Sequence, residues 1–94
     1  MTAILSKAQR IDQCRRRYMA ELARGASHIA STRTPASERS AISDVTGEFD
    51  RRYGNDDFDI FLELLAQALD ARLRPETAAV VRGHYRTARR QSRR

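Results

Sequence analysis

Residues 58 to 73 of this 94-residue chain are apolar on two sides at helical spacing, which constrains the fold more than any other feature. Phe58, Phe61, Leu62, Leu65, Leu69 and Leu73 form one wide stripe, and Ile60 and Leu64 fall roughly opposite it. A helix of this kind has to be covered on both sides. Either it runs through the middle of a helical bundle, or Ile60 and Leu64 form an interface with a partner protein or a second copy. Ninety-four residues suffice for one domain, and a chain of this length buries about 60 to 65% of its unfolded surface.

The segments around it also read as helices. Residues Ile4 to Arg24 carry Ile4, Ala8, Ile11, Tyr18, Met19 and Leu22 on one face, with Arg15 rising from the stripe and Gly25 placed to end the helix in a left-handed conformation. Residues 26–34 are small and polar and read as a loop. Thr34-Pro35 marks a helix start, because threonine caps and proline tolerates the first turn. The helix that follows presents Ile42, Val45, Phe49 and Tyr53, although Gly47 weakens it. Gly54 and Asn55 break the chain. Asp56, Asp57 and Asp59 then suit the positive start of the central helix. Beyond Arg74-Pro75 a last helix buries Ala78, Val81, Tyr85 and Ala88. No strand pattern or internal repeat is present. The expected fold is all-α, a small bundle of three long helices plus a basic C-terminal helix, with a homodimer left open. Residues 1–88 form the domain and 89–94 a basic tail.

The formal net charge of +6 is unevenly placed. Residues 1–24 carry +4, residues 25–74 carry −3, and residues 75–94 carry +5. Seventeen of the eighteen bases are arginine, which suits forked recognition of phosphate or carboxylate, although a GC-rich genome would enrich arginine and alanine as well. Arg82, Arg86, Arg89 and Arg93 are spaced four, three and four apart, so a helix puts them in one stripe, extended by Arg90 and Arg94. Arg10, Arg17 and Arg24 repeat every seven residues and would assist if the first and last helices lay side by side. This pattern leads to the expectation of a non-catalytic protein that holds DNA or RNA phosphates through the C-terminal arginines, as a small regulator or accessory factor. The alternative is a protein-interaction module, such as an adaptor, inhibitor or antitoxin-like partner, that uses Ile60 and Leu64.

Other chemistries lack their residues. Asn55, Asp57 and Asp59 alternate as in a calcium loop, but Ile60 stands where glycine should follow and Ala66 where the closing glutamate belongs. Cys14, His28 and His84 lack metal-ligand spacing, so no metal or cofactor is expected. There is no glycine-rich phosphate loop or nucleophile motif, and no small-molecule substrate is expected. A helix-turn-helix whose reading helix began with Asp56, Asp57 and Asp59 would be repelled by phosphate. One that used residues 75–90 is electrostatically acceptable. A single cysteine and the lack of an apolar run of about 18 residues or a signal-peptide pattern favour a cytoplasmic chain with no membrane association.

Overall fold

A computed structural model describes the backbone of residues 6–91 and the side chains of residues 6–83. Five helices follow one another within it, α1 (Lys7–Arg17), α2 (Met19–Ala30), α3 (Pro35–Tyr53), α4 (Phe58–Ala71) and α5 (Pro75–Gln91), and no strand is found among the described residues. No helix among them is long and apolar enough to cross a membrane.

α4 is the axis of the bundle and touches all four other helices. Half of its fourteen residues are buried: Ile60, Phe61, Leu62, Leu64, Leu65, Ala66 and Leu69. Ile60 and Leu64, expected as an interface, are only 6% and 4% exposed within the single chain. The chain itself therefore covers the second apolar side of α4, and neither residue is available to a partner. Leu73, expected at the end of the stripe, leaves the core altogether. It lies beyond the helix at φ 61° and is 86% exposed.

The expected first helix is two helices. The chain is interrupted at Tyr18 (φ −106°, ψ 21°), which closes α1 and opens α2. The interruption turns the Tyr18 ring into an aromatic cluster with Phe49, Tyr53 and Phe61, in which Phe49 and Phe61 stack at 3.9 Å. Met19, expected on the buried stripe, is 64% exposed as a result. Ile4 lies outside the described residues.

Gly25 does not end a helix. It sits buried inside α2, which continues to Ala30 with Leu22, Ala26 and Ile29 in the core. Its role is close approach, since a Cβ at this position would lie 2.8 Å from Val45 Cγ1 of α3 and 3.4 Å from Leu65 Cδ1 of α4. The loop expected over 26–34 shrinks to residues 31–34.

The start of α3 is as the sequence predicts. Thr34 Oγ1 accepts from the Ser37 amide at 3.1 Å, and Ser37 Oγ accepts from the Thr34 amide at 3.2 Å, which satisfies two of the amides that a helix start leaves open. Ile42 and Phe49 are buried, Val45 and Tyr53 partly so. Gly54, at φ 76°, ends the helix.

α4 closes in a Schellman motif. The Arg74 amide donates to Leu69 O at 2.9 Å and the Leu73 amide to Asp70 O at 3.0 Å, with Leu73 in the left-handed position that glycine usually takes. The Arg74 guanidinium reaches back to Ala30 O at 2.9 Å and stands 3.6 Å from Glu38. This cation at the C-terminal end of α2 locks the α4–α5 corner onto α2 and α3. α5 packs on α4 through the fully buried Ala78 and Val81. Its backbone stays helical to Gln91, past the expected domain limit at residue 88, while the side chains of Tyr85 and Ala88 lie outside the described residues.

Candidate nucleic-acid interface

The polar edge of α4 organises the basic elements. Glu63, Gln67 and Asp70 are spaced four and three residues apart, so one helical face presents all three to solvent. Arg82 of α5 grips this edge. Its Nε donates to Glu63 Oε1 at 3.1 Å, and its Nη2 donates to Glu63 Oε2 at 3.0 Å and to Asp70 Oδ2 at 3.1 Å. From the other side, Arg15 Nη2 of α1 donates to Gln67 Oε1 at 3.3 Å, and Gln67 Nε2 donates to Glu63 Oε2 at 3.4 Å. α1 and α5 therefore flank one seam on α4 and are bridged through Gln67 and Glu63.

The electrostatics follow from these contacts. Hydrogen bonds from Arg82 hold the Glu63 carboxyl below its usual range against the opposing effect of burial. Hydrogen bonds to Glu63 and then Asp70 push the Arg82 guanidinium up, which keeps it charged at any accessible pH. Arg82 was expected as the first member of the phosphate-binding stripe, but the structure turns it onto the protein's own carboxylates. It fastens α5 to α4, and its charge is compensated within the chain. Arg86, Arg89, Arg90, Arg93 and Arg94 lie outside the residues whose side chains are described.

The N-terminal arginines are committed to different degrees. Arg10 Nη2 donates to Asp56 O at 2.7 Å and stands 3.5 Å from Asp57 Oδ1. Arg17 lies over the Tyr18 ring, its guanidinium carbon 5.3 Å from the ring centroid. Arg24 is 70% exposed and 3.9 Å from Glu21. Side-by-side packing of the first and last helices is not the arrangement found, since α5 packs on α4 and α1 on α2 and α4.

Asp57 has a role beyond the negative charge it brings to the start of α4. Although it stands at the N-cap of α4, its side chain makes no cap hydrogen bond. Instead Oδ2 accepts from the Tyr18 hydroxyl at 2.7 Å. Burial, followed by this hydrogen bond, pushes the Tyr18 hydroxyl up to about 12. Burial and the neighbouring Asp57 also raise the Cys14 thiol, which stays protonated and buried. Between α2 and α3 a cleft of about 270 Å³ has Tyr53 hydrogen-bonded to Glu21 at 2.6 Å on its wall. That bond lowers the Glu21 carboxyl and raises the Tyr53 hydroxyl.

Sequence reasoning missed the Glu63-Gln67-Asp70 stripe as the seat of Arg82. The signal was present as three polar residues at helical spacing on the most apolar helix of the chain, where each must have a reason to be. Among the described residues no group of three His, Cys, Asp or Glu side chains is placed to hold a metal ion.

The described body is close to electroneutral. Residues 6–83 hold thirteen bases and twelve acids, a net of +1, whereas residues 84–94 hold five arginines and no acid, a net of +5. Comparisons with protein-family models, curated proteins and solved structures give no match.

Proposed function

We propose that this chain is a non-catalytic nucleic-acid-associated protein, a small regulator or accessory factor that holds DNA or RNA phosphates through Arg86, Arg89, Arg90, Arg93 and Arg94. One observation carries the reading. The folded body compensates its own charge, while the whole remaining excess of +5 is gathered in the last eleven residues, which begin on a helix fastened to the bundle axis. Arginines grouped in sequence without an acid among them favour a polyanion, because each phosphate contact releases a condensed counterion.

Arg82 drops out of the contact set, since withdrawing it would cost its hydrogen bonds to Glu63 and Asp70. Arg10 drops out for its bonds to Asp56 and Asp57. Arg17 and Arg24 are exposed and hold only weak contacts within the chain, so they add to the attraction for a polyanion. The first turns of α5 offer solvent Pro75, Glu76, Ala79 and Val80, a surface with no donor for reading base edges. This favours sequence-independent phosphate contacts over recognition in the major groove.

The test is fluorescence anisotropy of labelled duplex DNA, single-stranded DNA and RNA of mixed sequence with nucleic-acid-free protein at low salt. Binding with little preference among sequences supports the reading. No binding to any of the three at about 50 mM salt, where phosphate contacts are strong, removes it.

A further inference from the structure

The α4–α5 corner spends conformational freedom on an exposed leucine. Leu73 occupies the C′ position of the Schellman motif at φ 61°, where glycine is the ordinary choice, and its side chain is 86% exposed. It is not loosely placed, because the next residue, Arg74, is tied to Ala30 O and Glu38. Beside this knob is an open groove of about 590 Å³ between the starts of α3 and α5. Leu73 itself forms part of its wall, with Pro35, Pro75 and Val80, the last 46% exposed, as the other apolar lining and Glu38, Arg39, Arg74, Glu76 and Thr77 as the polar lining.

We infer that this face is the interface of a homodimer, with Leu73 of each copy seated in the groove of the other. Two properties select a second copy over other occupants. First, the exposed Leu73 and the apolar surface of Pro35, Pro75 and Val80 share one groove, so each copy offers both a knob and a place to receive one, as a twofold axis requires. Second, the lining holds two acids and two arginines and is therefore neutral on a chain of net charge +6, which suits neither a polyanion nor a polycation. Glu38 and Arg74 pair with each other. Arg39 and Glu76 have no partner among the described residues, so a twofold axis can set Arg39 of one copy against Glu76 of the other.

Sedimentation equilibrium of the full-length, nucleic-acid-free protein up to about 0.5 mM tests this inference. A reversible dimer is expected, and it rests on Leu73, Arg39 and Glu76 and not on the C-terminal arginines, so it is tested apart from phosphate binding. Leu73→Gly should keep the helical signal, since glycine fits C′, and weaken association about 100-fold because each dimer loses two buried leucines. Arg39→Glu should also weaken it, and Arg39→Glu combined with Glu76→Arg should restore it. A monomer throughout the range, wild-type association in Leu73→Gly, or a double reversal that does not recover the dimer would each overturn the inference.

Discussion

The Tyr18 hydroxyl donates to Asp57 Oδ2 at 2.7 Å across 39 residues of chain, joining the break between α1 and α2 to the turn that opens α4. The same tyrosine is 1% exposed and lies edge-on to Phe49, so one side chain serves both the aromatic core and a charged acceptor. Removing the hydroxyl leaves Asp57 with Arg10 at 3.5 Å and partial access to water. Tyr18→Phe is expected to cost about 1.5 kcal/mol in urea unfolding. A cost near zero would show that the hydrogen bond is replaced by solvent.

The raised Tyr18 hydroxyl has a consequence at high pH. Its folded value, about 12, lies above the unfolded value of 10.0, so the stability it contributes is complete below pH 10 and is lost as the pH rises toward 12. Absorbance near 295 nm should show Tyr18 and Tyr53 both ionising late, with loss of helicity accompanying the Tyr18 step near 12. In Tyr18→Phe that step should be missing and the Tyr53 step should remain.

Two glycines of similar setting should respond with opposite sign to alanine. Gly47 is in α3 with only the flexible end of Arg51 within 3.5 Å of a new Cβ, so Gly47→Ala should gain about 1 kcal/mol from helix propensity. At Gly25 the new methyl meets Val45 Cγ1 at 2.8 Å, on a side chain stiff about χ1. Overpacking of about 1 to 3 kcal/mol then outweighs the propensity gain, and Gly25→Ala should lower the thermal midpoint. Paired thermal melts of the two variants check this.

This contrast also shows which parts of the fold were legible in the sequence. Periodicity located the central helix, the Thr34-Pro35 start and the buried side of α3, because each is a local pattern of 3.6 residues with its own punctuation. Gly25 was misread because helix termination and close helix approach use the same residue, and only the position of Val45 tells them apart. Leu73 kept the spacing of the stripe yet fell outside it, since the turn to Pro75 has to begin at that point. For the candidate site, the spacing of the arginines was visible, but the commitment of Arg82 was not. Its acceptors, Glu63 and Asp70, lie 19 and 12 residues away on another helix.

Arg82 is expected to act on stability and not on nucleic-acid binding. The pairs are about 40% exposed, so Arg82→Ala should cost about 1 kcal/mol, the upper end for surface ion pairs, through loosening of α5. Glu63 is the partner whose titration reports this. Its folded value is below the usual 4.5, so its contribution is complete above pH 4.5 and is lost as the pH falls through the folded value. Wild-type and Glu63→Gln should differ in denaturation midpoint at pH 7 and converge as the pH falls below 4.5 through the folded Glu63 value. A gap that stays constant through the acid range would contradict the assignment.

The most direct measurement of the central claim is the salt dependence of nucleic-acid affinity, compared between the wild-type chain and a full-length variant with Arg86, Arg89, Arg90, Arg93 and Arg94 all changed to alanine. With five phosphate contacts the wild-type protein should give a slope of log affinity against log salt near −4.5 on duplex DNA. Arg82→Ala should leave that slope unchanged, and the five-fold variant should bring it close to zero. A wild-type slope near zero, or a five-fold variant that binds as the wild type does, would contradict the account.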